Sequence, residues 1–251
     1  LVEYRSGIYL LVVLNLFLLL VNYFDVVNVW FNFEWNGEYL KEYVHRGTGM
    51  LLFSILISVV IVLYYFRGNL NFYKRNKWLK RLSTLWLVQN ALLTISVGIR
   101  TAQYISHFNL AYRRIAMLFV LVLTLVGIAT VLIKIHQKRS TYFLLRVNGL
   151  AWTMVLLVST FVDWNSFVAR YNLSRYENAF VHFEFLEAMP DQAVDDLQLT
   201  WMEAITIESD RIRPAKRKGK NVYMTAEEFQ IDMLKRKTRF ENKWEKTSWL
   251  S

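Results

Sequence analysis

The 251-residue chain contains no cysteine, which excludes disulfides, thiolate nucleophiles and cysteine metal ligands. Its two prolines, Pro190 and Pro214, both fall late in the chain. No carboxylate occurs inside any long apolar stretch, whereas proton-coupled pumps usually need buried ionisable groups. HExxH ligand spacing, a Gly-rich phosphate loop, a GxSxG turn and the kinase motif set are all missing. The four histidines, His45, His107, His136 and His182, form no ligand-spaced cluster. No catalytic residue, metal or cofactor is therefore expected, and a non-enzyme is favoured.

Long hydrophobic runs dominate instead. Ser6–Phe24, Gly47–Phe66, Leu82–Ile99, Ile115–Ile133 and Val147–Val162 are uncharged and mostly apolar. Each has the length a helix needs to cross a hydrocarbon layer of roughly 30 Å. The expected fold is all-α: a polytopic transmembrane domain over residues 1–162 and a small, mostly helical soluble tail over 163–251. A start at Leu1 predicts further spans upstream. The first run is too long for a signal-peptide core and has no small-residue cleavage site after it.

The net charge of +10 invites a nucleic-acid reading, and its distribution argues against one. Residues 1–162 hold 16 Lys/Arg against 5 Asp/Glu, and residues 163–251 hold 14 against 15. The excess thus belongs to the membrane half. Loop 67–81 carries Arg67, Lys74, Arg75, Lys77, Lys80 and Arg81, and loop 134–146 carries Lys134, Lys138, Arg139 and Arg146. The other side has Lys41, Arg46, Arg100, Arg113 and Arg114. Ten bases against five predict cytoplasmic 67–81 and 134–146 loops and an external tail, periplasmic if the membrane is a bacterial inner one.

Asn15, Asn22, Asp25, Asn28 and Asn32 recur at helical spacing. Gln89 and Asn90 lie near the middle of the third span, and Arg100 lies at its end. Polar groups at such depths must face protein or water. Asn22, Asp25, Gln89, Asn90 and Arg100 form a candidate ligand site between the first and third spans. The plainer alternative is inter-helical amide bonding. Arg100 and Arg114 bracket the 101–113 loop, where they could hold a lipid phosphate or a carboxylate, or snorkel to the surface. A candidate headgroup or surface site comprises His45, Arg46, His107, Arg114, Asp163, Arg170 and Asn172.

In the tail, Phe180–Met189 and Ala193–Ile205 read as two short helices split at Pro190, sharing Leu186, Leu197 and Trp201. Arg211–Lys220 reads as a basic loop. Thr225 and Glu228 have capping-box spacing and open a helix with Phe229, Met233, Phe240 and Trp244 on one side.

The segments HRGTGMLLFSILISVVIVLYYFRGNLNF, WLVQNALLTISVGIR and FVDWNSFVARYNLSR, in that order, resemble domain-of-unknown-function family 4173, relative of family 4153. The resemblance runs over about Trp35–Arg175 and continues loosely through FEFLEAMPDQAV. It implies a multi-pass inner-membrane protein of Bacteroidetes and other bacteria, with additional helices. It implies no activity. It draws attention to Arg46, Gln89, Asn90, Arg100, Asp163, Arg170 and Asn172.

Three functions are open on these residues. The first is a membrane subunit or scaffold, with membrane lipids and other membrane subunits as partners and no nucleic acid. The second is a transporter or lipid-handling protein. The third is an enzyme on a lipid-linked substrate.

Overall fold

A computed structural model of the chain describes residues 2–31, 48–65, 76–210 and 224–248. Regular structure among them is entirely helical. The chain divides into two units, one of residues 1–102 with 116–159 and one of residues 103–115 with 160–251.

The first unit is built from α1 (Val2–Asp25), α2 (Thr48–Tyr65), α3 (Lys77–Phe108), α4 (Tyr112–Gln137) and α5 (Thr141–Thr160), with the ends of α3 and α4 that meet in the turn at 109–111 belonging to the second unit. Four of these, α1, α3, α4 and α5, are long and apolar enough to cross a membrane. The fifth expected span coincides with α2, in which Phe53–Tyr65 forms a shorter apolar helix. The charge-free runs understate the helices. At 32 residues, α3 extends to roughly 48 Å at 1.5 Å per residue. α5 begins at Thr141 and takes Arg146 into its second turn. Lipid limits where charge sits, whereas backbone hydrogen bonding limits where a helix ends.

Buried positions of α1 are Gly7, Leu11, Asn15, Leu18, Asn22 and Asp25, spaced by three or four residues along one face. The other faces expose Val13, Leu16, Phe17, Leu19 and Leu20. A water-facing surface rarely presents so continuous an apolar patch, and lipid accommodates it without cost. α3 is the central helix: half of its apolar window is buried, against 6% for α5. Leu11, Leu18, Ile55, Val62, Leu79, Trp86, Leu87, Leu93, Ile128, Val131 and Ile135 form one apolar cluster.

Side-chain bonds give the helix directions. Thr84 Oγ1 lies 3.0 Å from His136 Nε2, and Gly98 faces Leu121, so α4 runs antiparallel to α3. Asn148 Nδ2 donates to Thr130 Oγ1 at 3.0 Å and Lys134 Nζ to Thr141 Oγ1 at 3.3 Å, so α5 folds back along α4. The turn between them has Lys138 at φ 54. Arg139 N donates to Lys134 O across it at 3.1 Å, closing a Schellman-type end.

The second unit contains α6 (Trp164–Leu173), α7 (Phe183–Glu187), a 3-10 turn (Asp191–Ala193), α8 (Trp201–Asp210) and α9 (Ala226–Ser248). Phe183 and Phe229 stack at 4.8 Å in its core, with Leu186, Leu197, Ile207 and Met233 buried as well. Thr225 and Glu228 do form a reciprocal capping box. The two expected helices around Pro190 are replaced by three shorter pieces. A second capping box, Thr200 with Glu203, restarts the helix at Trp201. The new start turns Ala204 and Ile207 inward and leaves Trp201 52% exposed, so Trp201 is not a core residue. Phe240 is exposed too, and Arg211–Lys220 lies outside the described residues.

Three helix ends converge on Gly7. A Cβ there would stand 2.9 Å from Tyr65 Cε1 of α2 and 3.2 Å from Leu79 Cδ1 of α3. Gly7→Leu is expected to destabilise the purified protein by about 1–3 kcal/mol through overpacking. Gly149→Leu, at a position open to 4 Å, is expected to stay within about 0.5 kcal/mol. Thermal unfolding in detergent measures both.

Candidate functional site

Asn15, Asn22, Asp25, Gln89, Asn90 and Arg100 are all buried in the first unit. Asn15 Nδ2 donates to Leu82 O at 3.1 Å, and Asn22 Nδ2 to Gln89 O at 3.2 Å. Both rungs join residues 67 apart in sequence, and one heptad separates them on each helix. A constant offset requires α1 and α3 to run parallel, and a seven-residue step keeps the same faces in contact. Gln89 Nε2 donates diagonally to Asn15 Oδ1 at 2.9 Å. Each asparagine also bonds back to its own helix, to Leu11 O and Leu18 O.

The seam ends in an ion pair between Asp25 and Arg100, 6% and 4% exposed. Beyond Asp25 the backbone widens into a π-helical segment, Val26–Phe31. That wider turn rotates the face. Asn28 is exposed where regular α-helical spacing would bury it, and Trp30 Nε1 instead donates to Ser96 Oγ at 3.2 Å. Asn32 lies outside the described residues. Asn90 bonds along its own helix, to Trp86 O at 2.7 Å. Among the described residues, Asn90 Oδ1, Gln89 Oε1 and Asp25 Oδ2 meet no hydrogen-bond partner.

The candidate surface residues are distributed differently. His45 and Arg46 lie outside the described residues. His107, Arg114, Asp163, Arg170 and Asn172 belong to the second unit, where the turn at 109–111 uses several of them. Asn109 has φ 62, the left-handed geometry that asparagine tolerates at a helix end. Its Nδ2 donates to Phe180 O at 3.1 Å. The Asn172 carboxamide accepts from Leu110 N at 2.7 Å and donates to Leu110 O at 2.9 Å, as a neighbouring strand would. Arg114 donates to Phe108 O at 2.7 Å and to Asn109 O, with its guanidinium 4.5 Å from the Tyr104 ring. His107 O accepts from Phe180 N. These bonds occupy carbonyls that the end of α3 leaves open. Asp163 caps α6 through Asn165 N and Ser166 N, and Arg170 pairs with Asp196 at 2.7 Å.

Seam residues missing from the sequence-based candidate set are Trp30 and Ser96, while Asn15 appeared only in the stripe. The seven-residue step from Asn15 to Asn22 was a usable signal for the last. Nothing local announces the π-helical turn that delivers Trp30.

This arrangement defines a multi-pass, all-helical membrane protein whose first and third helices are joined by buried polar groups, with no cluster of metal-binding side chains among the described residues. The chain belongs to the family described as Domain of unknown function (DUF4153), whose family model matches residues 2–198. No curated protein and no solved structure matches it.

Breaking a buried pair strands a charge. Asp25→Asn and Arg100→Met are each expected to cost about 3–5 kcal/mol, and the double variant much less than their sum, measured by unfolding in detergent. The Asp163 carboxyl is held below the usual carboxylate range by the Ser166 hydroxyl first and then by backbone amides. A depressed value contributes stability above the unfolded-state value and loses it as pH falls through the folded one. Asp163→Ala should therefore lower the melting temperature at neutral pH, with the gap to wild type closing below about pH 4.

Proposed function

We propose that the chain is a non-enzymatic structural subunit of a membrane assembly, in which the α1–α3 seam gives a rigid helical framework and the second unit supplies an interaction surface. The observation that carries this reading is the bonding of the seam. Asn15, Asn22, Gln89, Asp25 and Arg100 are engaged with one another and with helix carbonyls. Such bonds are worth about 0.6 kcal/mol each in membranes, and they fix register more than they add stability. Exposed Trp201, Met202 and Ile205 on α8 support a partner-facing role for the tail.

Finer elements of the proposal rest on the same features. Parallel α1 and α3 need one return crossing between them, which supports α2 as a fifth span. The excess of Lys and Arg in loops 67–81 and 134–146 supports their cytoplasmic placement, with the tail periplasmic and the membrane a bacterial inner one. Kinship with family 4173 and a Bacteroidetes source extend the same reading. A transporter is the second reading, favoured by the open oxygens of Asn90 and Asp25.

Copurification of the detergent-solubilised native protein tests the proposal. Stoichiometric membrane partners, with Asn90→Leu leaving the cellular phenotype intact, are the expected result. A chain recovered alone whose phenotype is abolished by Asn90→Leu would overturn the subunit reading in favour of transport.

A further inference from the structure

Lys134 sits in the last turn of α4 and is 5% exposed. Its ammonium has three protons to place and, among the described residues, one acceptor: Thr141 Oγ1 at 3.3 Å. A buried cation with no counter-charge is costly, and the sequence offers little nearby to supply one. No Asp or Glu occurs between Glu42 and Asp163. Within the first unit Asp25 is the one carboxylate whose side chain is described, and it is paired with Arg100.

The surroundings add positive charge. Lys138 and Arg139 form the turn between α4 and α5, with Lys138 at φ 54. The Arg139 guanidinium lies 6.0 Å from the Phe143 ring in the first turn of α5. Thr141 opens that 20-residue helix, so its hydroxyl stands at the positive end of the helix dipole. Ser140 accepts from Phe143 N at 3.4 Å. An ammonium, a hydroxyl and a helix start thus converge on one point, and the one carboxylate of the first unit whose side chain is described, Asp25, is committed to Arg100.

We propose that the α4–α5 turn is an anion site that takes a phosphate group, with Lys134, Thr141 and the first turn of α5 as its floor and Lys138 and Arg139 at its mouth. A phosphate presents several acceptor oxygens and a full charge, which suits several converging donors better than a single carbonyl does. The headgroup of a phospholipid and free inorganic phosphate share this chemistry. The inference is independent of the subunit reading, since a scaffold, a transporter or an enzyme could each hold such a group.

The test uses the full chain in a non-ionic detergent, titrated with phosphatidylglycerol, with diacylglycerol as the phosphate-free control, and followed by native mass spectrometry. Wild type should retain phosphatidylglycerol in preference to diacylglycerol. Lys134→Met should weaken this binding about tenfold, and Thr141→Val should weaken it to a smaller extent. Lys134→Arg should preserve it, and Lys235→Met on α9 should leave it unchanged. Displacement by inorganic phosphate would identify free phosphate as the ligand, and retention in its presence would identify the lipid. Circular-dichroism melting shows which variants are folded. If Lys134→Met does not fold, Thr141→Val and Lys134→Arg still decide the question. Equal binding of diacylglycerol, or wild-type affinity in folded Lys134→Met or folded Thr141→Val, would overturn the proposal.

Discussion

A hydrocarbon interior offers no water to a polar side chain, and the pairing of α1 with α3 follows from that constraint. Asn15, Asn22 and Gln89 have no acceptor in lipid, so their amides turn to the adjacent helix, where the carbonyls of Leu82 and Gln89 lie one heptad apart. The rungs force a parallel arrangement with a fixed offset. With α1 and α3 parallel, α4 antiparallel to α3 and α5 antiparallel to α4, the order of the first unit is largely determined. Gly7 permits the close approach that brings the ends of α1, α2 and α3 together.

Much of this was legible from residue patterns. Apolar runs disclosed the helices because lipid solvation imposes length and removes charge. The spacing of Asn15, Asn22 and Asp25 disclosed a buried face. The ends of the helices were less legible. Arg146 interrupts a charge-free run without interrupting α5, because a side chain in an early turn can reach the surface while its backbone stays helical. The π-helical segment after Asp25 was also hidden. It shifts the face by about one residue, so Asn28 leaves the seam and Trp30 meets Ser96. In the tail the Thr225 capping box is legible because an apolar helical stripe follows it, whereas the Thr200 box lies inside a stretch that reads as continuous helix from Ala193 and so hides the start at Trp201.

The polar residues singled out as candidates separate into two groups with different physical roles. Asn22, Asp25, Gln89 and Arg100 join two helices. Arg114 and Asn172 occupy the backbone groups of a single turn, and Asp163 caps a helix. Sequence spacing could not distinguish these roles, since an asparagine that bridges helices and one that mimics a strand have the same composition signal. In sequence Lys134 is one of the basic residues of the 134–146 loop. Its burial against Thr141 is a tertiary property that no charge count contains.

The parallel, heptad-registered pairing of α1 and α3 is directly measurable, because a chain without cysteine accepts paired cysteine substitution and oxidative cross-linking in membranes. Asn15→Cys with Leu82→Cys, and Asn22→Cys with Gln89→Cys, should both cross-link rapidly. Asn15→Cys with Ser96→Cys should not, because Ser96 lies about 21 Å further along α3 than Leu82. Rapid cross-linking of the Asn15–Ser96 pair, with none at the two rungs, would contradict the account.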